Sequence, residues 1–139
     1  MAVSPERIRS IWLFAGLENS GIDVIAGLAG ELEVDAGAVL AAEGDFGHAF
    51  FAVEEGRADV LRGDERISGL VAGDVFGEIA LLSSGRRTAS VVAVTPMRLI
   101  TLFKRDLWQI EKRYPALADD LRVTVKERLD RSSAVTDQG

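Results

Sequence analysis

The chain of 139 residues has no cysteine and a single histidine, His48. Without cysteine there are no disulfides and no thiolate chemistry, which is compatible with a reducing cytoplasm; the expected location is cytoplasmic, or the cytoplasmic-facing part of a larger assembly. One histidine leaves too few nitrogen and sulfur ligands for a zinc or iron centre of the usual kind. It also has no recognisable serine or cysteine partner for a nucleophile and base, so an enzyme is not expected. Long apolar runs are missing as well: nothing approaches the ~20 consecutive residues a membrane helix needs. The apolar stretch Ile11–Leu17 follows Arg7 and Arg9 but meets Glu18 and Asn19 instead of a small-residue cleavage pattern, and reads as folded structure. No membrane insertion is expected. A basic excess is absent too, with Lys and Arg at 16 against Asp and Glu at 22 for a net charge of -6. That balance argues against DNA or RNA as a partner, because such binding rests on neutralising many phosphates. A single small anion is a different problem, since a local cluster of donors can hold one charge on an acidic protein.

What is present is a 47% apolar chain of one domain's length. Ser4-Pro5-Glu6 has the order of an N-cap, a proline at the first helical position and an early acid. Ile8, Ile11, Trp12 and Ala15 follow at helical spacing, predicting an amphipathic helix of about two to three turns. Asn19 or Ser20 can cap a second helix carrying Ile22, Ile25, Leu28 and Ala29, weakened by Gly21, Gly27 and Gly30. From Leu32 to Phe103 the period changes to short strands: 32–35, 39–42, 49–54, 57–61, 65–70, 88–94 and 97–103, punctuated by glycine turns at roughly ten-residue intervals. Such a series closes into a sandwich or barrel. Lys104-Arg105-Asp106 then opens a helix with Leu107, Trp108, Ile110 and Glu111, ending near Tyr114. Pro115 starts another, with Leu117, Leu121, Val125 and Leu129 every four residues as a stripe to pack on the roll. The expected fold is α+β: an antiparallel, jelly-roll-like β-roll over 31–103, with helices at 4–30 and 104–131, all within one domain of residues 1–131. Residues 132–139 are polar, without pattern, and expected to be a disordered tail.

The densest chemistry lies in Gly73–Val94, GDVFGEIALLSSGRRTASVVAV. Gly73-Asp74 breaks the preceding strand, Gly77 removes a Cβ where a ligand could press on the backbone, and Glu78–Leu82 reads as a short helix. A helix start offers unpaired N–H groups and partial positive charge to an anion. Arg87 adds a full charge and a planar fork of donors suited to phosphate. A carboxylate beside a phosphate repels it unless hydroxyls lie between, and a ribose would meet that need by donating its 2′-OH to Glu78. Acid for sugar and base for phosphate imply a nucleotide. Alone, Glu78 could merely complement the helix dipole, and Arg86 with Arg87 could be a solvated loop pair. Arg86 is read as a surface residue.

Phe76-Gly77-Glu78-Ile79-Ala80-Leu81-Leu82, followed by Arg87-Thr88-Ala89-Ser90-Val91, resembles the phosphate-binding cassette of the cyclic nucleotide-binding domain family. Its members include the catabolite activator protein, the regulatory subunits of protein kinase A and cyclic-nucleotide-modulated channels, and the spelling GRRTASV is closest to the channel branch. The run from Ala41 to Val53, with Glu55-Gly56 after it, is similar to the family's early strand-turn-strand signature. The resemblance implies a ligand, cAMP or cGMP, with no other cofactor. It implies a site of Phe76, Gly77, Glu78, Ile79, Ala80, Arg87, Thr88 and Ala89, in which Glu78 takes the ribose and Arg87 the cyclic phosphate. It implies too that the last helix closes over the base as a lid, with Arg128 the first candidate to reach it and Arg131 and Leu129 behind. Many relatives place an acid where this chain has His48, so the arginine loses one charged brace. Ligand capture would signal by repositioning the last helix, to an effector protein or within a homodimer. The alternative is an interaction or assembly domain that keeps the fold without nucleotide. A transcription regulator would need a helix-turn-helix beyond these residues.

Overall fold

The computed structural model describes residues 3–45, 49–77 and 87–133, the side chains of 125 and 128–133 excepted. Two short helices open it, α1 (Pro5–Arg9) and α2 (Asn19–Leu28). Among the described residues eight strands follow: β1 (Gly30–Val34), β2 (Val39–Ala41), β3 (Ala49–Glu55), β4 (Ala58–Arg62), β5 (Glu65–Leu70), β6 (Val75–Phe76), β7 (Ser90–Ala93) and β8 (Met97–Phe103). Helices α3 (Lys104–Arg113) and α4 (Pro115–Ser133) close the order. The strands form two four-stranded sheets, β1-β8-β3-β6 and β2-β7-β4-β5, antiparallel at every pairing. This is the expected β-roll with helices at both ends.

The apolar run Ala49–Val53 is unbroken because β3 is covered on both faces, and the two-residue period of a strand divides its side chains between two cores. Ala49, Phe51 and Val53 join Met97 and Leu99 of β8 in a cluster between the sheets, with Ala58, Val60, Phe76, Val91 and Ala93. Phe50 and Ala52 join Ile100 and Leu102 in a second cluster under the helices, with Ile8, Phe14, Ile22, Ile25, Ile110 and Leu121. The molecule is therefore layered as helices, sheet, sheet. Phe14 and Phe50 join the first two layers, their ring centroids 5.3 Å apart.

The structure departs from the expected elements in several places. Helix α1 stops after five residues, and residues 10–17 continue as turns in which Ile11, Phe14 and Leu17 donate to carbonyls three residues back. Ser10 helps to end it, its hydroxyl donating to the Glu6 carbonyl at 2.9 Å, a bond that competes with helix propagation. Ser4 and Glu18 hold the N-cap positions of α1 and α2 without side-chain cap bonds, and the Asn19 amide oxygen accepts from Arg9 instead. The two-residue strand β6 was not anticipated, being too short for any period to show. Helix α4 reaches Ser133, and its buried residues Ala118 and Leu121 belong to the helical cluster, with Leu117 against α2 at Gly21. Trp108 in α3 is exposed while Leu107 and Ile110 are buried. Asp106 accepts the Phe103 N–H at 3.0 Å and so caps α3 from its first turn.

Candidate functional site

The site is built where three loops of the roll converge. β6 delivers the first part: Phe76 pairs with Phe51 of β3 in register, and their rings stack with centroids 4.8 Å apart. Phe76 is thus a buried core residue between the sheets, and the chain leaves that anchor at Gly77. Gly77 has φ +78°, a conformation L side chains rarely adopt. Space demands glycine there as well. A Cβ would lie 2.5 Å from the Ala49 carbonyl oxygen and 2.7 Å from Nη1 of Arg87.

Arg87 is the second part. Its Nη2 donates to the Ala49 carbonyl at 2.8 Å, so the guanidinium lies across the Gly77 backbone and is oriented by the first residue of β3. The side chain is half-buried. Its backbone is held independently: the Arg87 N–H donates to Asp45 O at 2.6 Å, and its carbonyl accepts the Gly44 N–H at 2.9 Å. These two bonds pair the residue with the turn after β2 as a ladder would.

A wider frame surrounds them. The Glu43 N–H donates to Ser90 Oγ at 2.9 Å, and Glu43 Oε1 accepts the N–H of Gly63, in the β4–β5 hairpin, at 2.9 Å. Arg62 Nε donates to the Thr88 carbonyl at 3.4 Å. A cationic fork is thereby fixed beside a side-chain-free backbone, an arrangement suited to holding an anion in a defined orientation.

Of the residues expected in the site, the structure brings together Gly77 and Arg87, with Phe76 beneath them through its ring. Thr88 is exposed and Ala89 packs at the edge of the inter-sheet cluster. Glu78, Ile79, Ala80 and Arg86 lie outside the described residues, as does His48. Arg128, Leu129 and Arg131 fall on α4, with side chains outside the description. Sequence reasoning missed the Ala49 carbonyl and the Glu43 frame. The first is a backbone atom with no residue-type signature, and the second joins partners 20 and 47 positions apart.

A second polar cluster lies at the far end of the helical face. Arg7 of α1 bonds Glu54 of β3 at 2.9 Å from Nε and Glu31 of β1 at 2.6 Å from Nη2. Arg98 of β8 lies between them, 3.4 Å from Glu54 and 2.8 Å from Glu55. The hydrogen bonds from Arg7 hold the Glu54 carboxyl below its ordinary range against the opposing effect of its burial.

Comparison with known proteins gives one answer. The family model for the cyclic nucleotide-binding domain matches residues 31–114. The cyclic AMP receptor protein of Thermus thermophilus is 33% identical over 122 residues, 84% of this chain and 56% of that protein. A cyclic nucleotide-gated potassium channel of Rhizobium etli is 38% identical over 95 residues, 68% of this chain and 26% of the channel. The chain thus spans about half the length of one of these curated relatives and about a quarter of the other. The N-terminal domain of a transcriptional regulator from Streptomyces coelicolor A3(2) matches in structure with a TM-score of 0.75 at 27% identity, over 91% of this chain and 94% of that one. Among the described residues no helix is long and apolar enough to cross a membrane. The chain, with its cassette sequence, its two-sheet roll and its clamped arginine, belongs to the cyclic nucleotide-binding domain family.

Proposed function

We propose that this chain is a regulatory module that captures a cyclic nucleotide, cAMP slightly ahead of cGMP, and turns nothing over. The observation that carries the reading is the packing of the Arg87 guanidinium against Gly77 and the Ala49 carbonyl. In this reading Arg87 takes the cyclic phosphate through its fork, and Glu78 accepts the ribose 2′-OH. The backbone from Phe76 to Ala80, with Thr88 and Ala89, encloses phosphate and sugar. A Thr88 hydroxyl can serve the phosphate or a guanine amino group, which keeps the two ligands close in preference. Arg128, with Leu129 and Arg131, would meet the base from α4.

Signalling is a shift in population. Ligand that binds one arrangement of α4 better than another moves the equilibrium by that difference in affinity. An effector protein, or a second copy of the chain, would read the change. The test is calorimetric titration with cAMP and with cGMP of the wild-type chain and of Arg87→Ala. Wild type binds at least one nucleotide, and the variant loses about 2 to 5 kcal/mol, as for truncating one member of a buried charged pair. A folded wild type that binds neither would instead favour an assembly domain without ligand.

A further inference from the structure

We infer that Glu43 is a positioning residue for Arg87, holding the phosphate-binding arginine in place through a frame of backbone hydrogen bonds; the inference rests on the nucleotide-binding reading above. Glu43 is exposed, and an exposed glutamate in a turn would ordinarily be left to water. Here it makes two bonds to separate parts of the roll, its N–H to Ser90 Oγ and its Oε1 to the Gly63 N–H. The next two residues, Gly44 and Asp45, carry both backbone bonds to Arg87. One turn thus grips Arg87 from above, while its first residue is tied to the start of β7 on one side and to the β4–β5 hairpin on the other. Arg62 of that hairpin closes the ring at the Thr88 carbonyl.

The chemistry needed at position 43 is acceptance of an N–H, not negative charge. Gln retains an acceptor oxygen and Ala does not. Among the described contacts Glu43 does not bond Nη1 or Nη2, so it acts on Arg87 through the backbone frame.

The full 139-residue chain is compared as wild type, Glu43→Ala, Glu43→Gln, Arg87→Ala and the Glu43→Ala/Arg87→Ala double variant, by titration with cAMP and cGMP. Glu43→Ala weakens the tighter nucleotide about fivefold, the worth of one hydrogen bond. Glu43→Gln stays within about twofold of wild type, and Glu43→Ala has no further effect once Arg87 is removed. Amide exchange of the ligand-free chain, followed by NMR, shows the Arg87 N–H exchanging faster in Glu43→Ala and at the wild-type rate in Glu43→Gln. An equal loss from Glu43→Ala with and without Arg87, or unchanged Arg87 exchange, overturns the inference. If wild type binds neither nucleotide, the functional reading falls, and the Arg87 exchange rates alone decide the frame.

Discussion

Gly77 is the position where one atom decides the most. Ala at 77 must accept φ +78° and place a methyl 2.5 Å from the Ala49 carbonyl oxygen, against backbone that cannot swing aside. We expect Gly77→Ala to lose about 1 to 3 kcal/mol in urea unfolding and to bind nucleotide more weakly, because Arg87 is displaced by the same methyl. A variant as stable as wild type would show that the backbone at 77 is free to relax. The residues of the candidate site were readable to different degrees for a physical reason. Gly77 and Arg87 carry their chemistry in their residue types and sit in one continuous motif. Ala49 contributes only a carbonyl, which every residue has, and Glu43 acts on partners brought near by strand pairing. Phe76, expected at the ligand, stacks its ring on Phe51 beneath the loop.

At the scale of elements, the short helix α1 is attached by charge as well as by the buried Ile8. Arg7 spans from β1 to β3 across β8, and the Glu54 carboxyl it bonds is held below the ordinary carboxylate range. A depressed folded pKa stabilises above the unfolded value and is lost as pH falls through the folded one. Thermal melts should therefore hold this contribution down to the ordinary carboxylate value of about 4 and lose it as pH falls below, with Glu54→Gln showing a flatter acid limb. The cost of that substitution at neutral pH is about 1 kcal/mol or less, since Arg7 is partly exposed. Identical acid limbs in the two proteins would assign the loss to other carboxylates. Strand existence was legible from the period-two runs and glycine turns, while α1 was read too long because Ile11 and Trp12 continue the helical spacing through residues that fold as turns.

For the whole molecule, the sequence pointed to a roll flanked by helices but carried no sign of strand order, which is a matter of pairing across 40 and more positions, as between β3 and β8. The run at Ala49–Val53 was legible as a strand, but not what buries each of its faces. The absence of cysteine turns into an experimental advantage at this scale, because two introduced thiols are the only ones. Spin labels at Val123→Cys on α4 and Ile67→Cys on β5, both exposed positions, should report a changed distance on saturation with the tighter nucleotide. An unchanged distribution in protein shown to bind would remove α4 as the moving part.

Ala49 and Phe50 are neighbours in β3 that face opposite ways: one lends its carbonyl to Arg87, the other lays its ring against Phe14. The partition between the arginine clamp and the helical layer is accordingly one strand thick. The single peptide between Ala49 and Phe50 is thereby shared by both layers, and its carbonyl is the one that Arg87 holds.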